Sequence, residues 1–157
     1  MNDESTAALD SMDWAILVEL QNDARLSYAE LSRRVALSPS AVIERVRRLE
    51  ALGVITGYHA VVNPARVGLG IQAIVRLKYP GTAHQPLHRL IADRPEILRC
   101  HRVTGDECYV IHVVTKDVAR LEQVVDDLAR LGSLTTHIVY STLLPRRTLT
   151  APSAADE

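Results

Sequence analysis

The feature that most constrains this chain is a change of hydrophobic period close to residue 70. Before it, apolar residues recur at helical spacing: Ile16, Leu17 and Leu20, then Leu31 and Val35, then Val42, Val46 and Leu49. After it, Ile71, Ala73, Val75, Leu77 and Tyr79 alternate with Gln72, Arg76 and Lys78. A helix repeats every ~3.6 residues and a strand every two, so one element cannot serve both patterns. The chain therefore divides into a helical unit and a sheet-containing one. With 157 residues, 47% of them apolar, there is material for a small core in each.

The helical half is punctuated by caps. Asp10 precedes the first apolar stripe as an N-cap, and Ser27-Tyr28-Ala29-Glu30 reads as a capping box in which Glu30 reaches back to the Ser27 amide. Ser38-Pro39 then starts a third helix, expected to run to about Leu52 and stop at Gly53. Two capped helices joined by a three-residue turn fit a helix-turn-helix. Val54–Val62 is β-rich and is expected to form a short hairpin or a departing strand, the wing of a winged helix-turn-helix. Residues 1–62 make the first domain and 63–70 the linker.

In the second half, strands are expected at Ile71–Tyr79, Ile97–Thr104, Cys108–Thr115 and Leu134–Leu144. Helices are expected at Pro86–Asp93 and from Val118 to Gly132, the latter striped by Val118, Leu121, Val125 and Leu128. The order β-α-β-β-α-β predicts a ferredoxin-like α+β domain over 71–147, followed by a flexible tail at 148–157. Its open sheet face needs a cover, which a second subunit can supply.

Charge is informative only locally. The net charge is −1 overall, but Arg33, Arg34, Arg45, Arg47 and Arg48 lie in a stretch whose one acidic residue is Glu44. Val42, Val46 and Leu49 must face inward, so Ser40, Ala41, Glu44, Arg47 and Arg48 lie on the opposite side of the third helix, with Arg45 on its flank. Small polar residues near the helix start permit close approach to the major groove, and arginines can bond guanine edges or phosphates. Ser38, as the cap, would sit beside a phosphate. On this reading Arg45, Arg47 and Arg48 contact double-stranded DNA, Ser38, Ser40, Ala41 and Glu44 set the reading surface, and Arg33 and Arg34 touch the backbone. The alternative is a solvated helix whose arginines pair with Glu44 and Glu50.

Several segments resemble the pattern of the Lrp/AsnC (feast/famine) transcriptional regulators. They include Leu9-Asp10, Asp13, Ile16-Leu17, Asp23-Ala24-Arg25, Leu37-Ser38, Arg45-Val46, Arg48-Leu49-Glu50 and Gly53-Val54-Ile55, then Pro95-Glu96, Cys100 and Val103-Thr104-Gly105-Asp106. The resemblance runs from about Leu9 to Leu144. It implies a winged helix-turn-helix followed by a ferredoxin-like (RAM/ACT-like) domain that dimerises, assembles further to tetramers or octamers, and binds an amino acid or related effector between dimers. It also implies that Thr104, Gly105, Asp106, Glu107 and Cys108, with Thr135, Thr136 and His137 of the last strand, line the effector pocket. From the residues alone, Thr104–Glu107 reads first as an ordinary hairpin turn in which Gly105 supplies a positive φ. The family usually has an acidic residue at the place of Cys108, so effector specificity does not carry over.

Other signals are weak. Gly68-Leu69-Gly70-Ile71-Gln72-Ala73 fits a loose dinucleotide fingerprint, but it leads into a strand rather than a helix. His84 and His88 have the spacing of metal ligands, yet Pro86 leaves His84 outside the helix. A hairpin centred on Gly105-Asp106 pairs Val103 with Cys108 and Cys100 with Ile111, which holds the two cysteines beyond disulfide reach. No cofactor motif, membrane span or secretory leader is read from the chain, and a cytoplasmic location is expected. The rival readings are an architectural DNA-wrapping protein and, further off, a ferredoxin-like enzyme subunit.

Overall fold

The computed structural model describes residues 8–152. The remaining terminal residues, including part of the expected tail, lie outside the described residues. The chain separates into two units, one formed by residues up to Val61 together with Leu144 onward, the other by Val62–Leu143.

The first unit contains α1 (Ser11–Asn22), α2 (Tyr28–Arg34) and α3 (Pro39–Ala51). At the start of α1 the Asp13 amide donates to Asp10 Oδ1 at 2.8 Å, while Asp13 Oδ2 accepts from the Asp10 amide at 3.1 Å. These two reciprocal bonds use amides that a helix start leaves open. Ser27 caps α2 by accepting from the Glu30 amide at 3.2 Å, but the expected return bond is replaced: Glu30 Oε1 accepts from Arg34 instead. A charged donor one helical turn away outcompetes a neutral amide. Ser38 caps α3 through the Ala41 amide at 3.2 Å, with Pro39 in the first turn. Between α2 and α3, Ala36 adopts φ 53°, the left-handed conformation that makes the turn tight. Ile16, Leu17, Leu31, Val35, Val42, Val46 and Leu49 form the core, so the three inward positions read on α3 are the ones buried.

The β-rich segment Val54–Val62 forms no strand. Val61 and Val62 are exposed, and an isolated extended segment has no ladder to join within its own unit. The linker carries a short 3-10 turn, Pro64–Val67.

The second unit contains β1 (Ile71–Lys78), α4 (Gln85–Asp93), β2 (Ile97–Arg102), β3 (Tyr109–Thr115), α5 (Val118–Ala129) and β4 (Ser133–Ile138). The strands form one antiparallel sheet in the order β2-β3-β1-β4, the ferredoxin-like arrangement. Ala73, Val75, Leu77, Tyr109, Ile111 and Val113 share a core with Leu87 of α4 and Leu121, Val124 and Leu128 of α5. Val118, at the start of the expected stripe, is half exposed, and Val124 is fully buried beside the partly buried Val125. The hairpin register is as read: the Val103 amide donates to the Cys108 carbonyl, Cys100 lies opposite Ile111, and both cysteines are free.

One expectation is corrected here. The last strand stops at Ile138 instead of continuing to Leu144, because the Val139 amide makes its bond to Gln72 at the very start of β1 and no partner strand remains. In the described part of the expected tail, Leu149 is hydrogen-bonded to the first unit, with which Leu144 onward groups. The Leu149 amide donates to Gln21 Oε1 at 2.9 Å, Gln21 Nε2 donates to the Leu149 carbonyl at 3.0 Å, and Arg146 donates to the Gln21 carbonyl at 2.7 Å. A glutamine side chain presents both amide donors and a carbonyl acceptor, enough to hold both backbone groups of a single residue.

Candidate DNA-reading face and effector loop

The outward side of α3 carries Ser40, Glu44 and Arg47, all exposed, with Ala41 partly covered. The Ser38 and Ser40 hydroxyls lie 3.1 Å apart at the helix start. Arg47 has no carboxylate partner among the described residues. Arg33, on α2, is also exposed and uses its Nε on the Ala29 carbonyl of its own helix at 3.3 Å.

The other three arginines expected at the DNA are ion-paired with carboxylates of their own unit. Arg45 Nη1 lies 2.7 Å from Asp10 Oδ2 and 2.8 Å from Asp13 Oδ1. Arg48 Nη1 lies 3.0 Å from Asp13 Oδ2, and its Nη2 donates to the Ala8 carbonyl. Arg34 bridges Glu19 and Glu30 at 2.9 and 3.1 Å. The weighed alternative, pairing with Glu44 and Glu50, does not occur either; Glu50 accepts from the Tyr58 hydroxyl. Asp13 is fully buried at the α1–α3 contact, and burying a carboxylate is costly unless cations and donors surround it. The exposed Asp10 carboxyl is held below the usual range by the Asp13 amide and then by Arg45, and Arg45 is held more firmly protonated by Asp10 and Asp13. A signal for this lay in the sequence: Asp10 and Asp13 are three residues apart, as are Arg45 and Arg48, so the pairs match across two packed helices.

In the second unit, Gly105 has φ 105°, which an L side chain rarely adopts, and Asp106 is almost wholly exposed beside it. Glu107 ties the turn to the sheet through Arg76 of β1 at 2.5 Å and the Thr135 hydroxyl of β4 at 3.3 Å. Thr135 stands opposite Arg76 and His137 opposite Ile74, on the face away from the helices. The expected effector set divides at this point. Thr136 pairs with the buried Val75 and turns into the core, where its hydroxyl has no partner among the described residues, and Cys108 packs against that same core. Strand alternation places residues 135 and 137 on one face and residue 136 on the other.

Two cavities of about 430 and 440 Å³ lie elsewhere, one beside the Glu96–Arg120 ion pair, the other between α4 and β2 near His84 and Tyr109. His84 occupies the N-cap position of α4 without a side-chain capping bond, and its Nδ1 lies 2.8 Å from the Tyr109 hydroxyl. Gly68–Ala73 runs into β1, as a nucleotide loop would not. Among the described residues no helix is long and apolar enough to cross a membrane.

A capped helix-turn-helix and a ferredoxin-like ligand-binding domain in one chain define a ligand-responsive, DNA-binding transcriptional regulator. The AsnC-type helix-turn-helix domain matches residues 9–50, and the Lrp/AsnC ligand binding domain matches residues 72–149. The transcriptional regulator LrpC of Bacillus subtilis is 32% identical over 133 residues, 85% of this chain and 92% of that protein. Its solved structure covers 89% of this chain and all of its own, with a TM-score of 0.85 and 31% identity. A feast or famine regulatory protein from M. tuberculosis, solved in complex with L-methionine, covers 92% of this chain and all of its own, with a TM-score of 0.85 and 32% identity. The chain belongs to the Lrp/AsnC family.

Proposed function

We propose that α3 reads the major groove of double-stranded DNA through Ser38, Ser40, Ala41, Glu44 and Arg47, with Arg33 of α2 on the phosphate backbone. The observation that carries this reading is the outward face of α3, short and polar at its capped start and carrying Arg47, exposed and without a carboxylate partner among the described residues. A hydroxyl pair at a helix N-terminus suits a phosphate, and a free guanidinium suits a guanine edge. Arg47→Ala is expected to weaken operator binding by ~1–3 kcal/mol if Arg47 reads a base. Unchanged affinity in a gel-shift titration at fixed salt removes α3 as the reading element.

The effector is an amino acid or a related metabolite, held by Thr104, Gly105, Asp106 and Glu107 with Thr135 and His137. A zwitterion has a cation for Asp106 and a carboxylate for the turn amides, and the Lys78 and Arg76 ammonium and guanidinium groups lie on the same side. The L-methionine complex of the M. tuberculosis relative makes methionine the first compound to try. A ligand at 100-fold over its Kd stabilises the fold by ~2.7 kcal/mol. A thermal-shift series over the amino acids should therefore show one clear responder, and Asp106→Ala should abolish its shift. A response untouched by Asp106→Ala moves the pocket elsewhere.

The chain acts in the cytoplasm as a regulator rather than an enzyme, and as a homodimer or a larger assembly of dimers. Two recognition helices related by a twofold would then meet half-sites about one helical turn, ~34–36 Å, apart.

A further inference from the structure

We propose that Asp13, with Asp10 beside it, determines DNA specificity by holding Arg45 and Arg48 off the duplex, so that α3 offers DNA one cation where its sequence carries three. The inference rests on α3 being the reading helix and adds which of its charges take part.

The geometry is specific. Asp13 is fully buried, and its two oxygens are divided between the arginines, Oδ1 at 2.8 Å from Arg45 and Oδ2 at 3.0 Å from Arg48. Asp10 adds a second carboxylate on Arg45 at 2.7 Å. Both aspartates are fixed in turn by their reciprocal bonds to each other's amides, so the carboxylates cannot swing away without uncapping α1. Moving Arg45 or Arg48 to a phosphate would leave a buried carboxylate short of a counter-charge, a state that is strongly unfavourable. Arg47, one position along the helix, faces outward with no such restraint. Phosphate contacts add affinity without sequence information, whereas base contacts carry the information. Removing two cations from the phosphate tally therefore lowers binding to random DNA more than binding to an operator.

The role makes Asp13 a positioning residue, and salt dependence separates that role from simple support of the fold. Each phosphate neutralised steepens the slope of log K against log salt by ~0.9. Asp13→Asn keeps the shape and an acceptor for the Asp10 amide while removing the charge. The full-length variant is expected to bind with a slope steeper by about one to two, to bind random DNA more tightly at low salt, and to show a smaller operator-to-random ratio. Adding Arg48→Gln to Asp13→Asn should move the slope back toward the wild-type value. An Asp13→Asn protein that folds but keeps the wild-type slope and ratio overturns the proposal. If that variant does not fold, Arg48→Gln alone decides, since Asp13 then still has Arg45: an unchanged slope supports the proposal, and a slope shallower by about one shows Arg48 on a phosphate and overturns it. Arg47→Ala in parallel keeps the two readings apart. Loss of binding there with no change of slope in Asp13→Asn defeats only the role given to Asp13, whereas no effect of Arg47→Ala defeats α3 as the reader.

Discussion

His112 shows how a single side chain couples the fold to pH. It sits on β3, partly covered, with the His101 ring centroid 6.0 Å away, and its pKa is lowered from 6.5 first by burial and then by His101 and Arg99. A histidine whose folded pKa lies below its unfolded one takes up protons more readily when the chain unfolds. Stability is therefore complete above pH 6.5 and falls as the pH drops from there through the lowered value, after which the loss levels off. The urea midpoint is expected to fall between pH 7.5 and 5.5, and His112→Gln should flatten that dependence; an equal fall in the variant assigns the effect to other groups. Single residues were also where sequence reasoning stopped short. Composition placed five arginines around the helix-turn-helix, but the partners of Arg45 and Arg48 lie on α1, more than thirty residues away. Contacts across that separation follow from the packing of two helices, which the inward stripe Val42, Val46 and Leu49 fixes only after the fold is known. Thr136 is the opposite case, because strand alternation alone sends it to the side of the core, opposite Thr135 and His137.

At the scale of elements, boundaries were read well wherever a local device sets them, and less well wherever a partner does. Ser27, Ser38 and Asp10 cap the helices expected of them, and the Gly105 turn fixes the β2–β3 register through its own geometry. The end of β4 depends instead on where β1 begins, and the segment after α3 has no neighbour with which to form a strand. Gly132 combines both kinds of control. Read as the stop of α5, it lies beyond the helix end at Ala129, and its position is demanded by β1: a Cβ there would lie 2.2 Å from the Lys78 carbonyl oxygen. Because the clash is with backbone, no side-chain rotation relieves it, and β4 would have to move away from β1 at the first pair of their ladder, Lys78 with Ser133. Gly132→Ala is expected to cost ~1–3 kcal/mol, the usual price of overpacking, read as a lower urea midpoint. A midpoint within error of wild type would show that the α5–β4 turn shifts freely.

For the molecule as a whole, the decisive surface is the sheet face that α4 and α5 leave uncovered. It presents Ile74 and Val110 among Arg76, His101, His112 and Thr135, mixed in chemistry as association surfaces commonly are. One helix-turn-helix has limited contact with DNA, whereas two joined through a dimer bind as a linked pair, with a gain of 10²–10⁴ expected from effective concentration alone. If a second copy covers this face, wild-type protein sediments as a dimer or a multiple of it at micromolar concentration. Ile74→Glu then places a carboxylate at its centre, opposite His112 and His137, and should shift the protein toward monomer. The same variant should lose operator affinity by at least tenfold, with the first unit's helices unchanged by circular dichroism. A wild-type monomer would remove the twofold pairing of recognition helices from the proposed function. An Ile74→Glu protein that still dimerises would place the contact on another face, leaving the reading by α3 to stand or fall on Arg47.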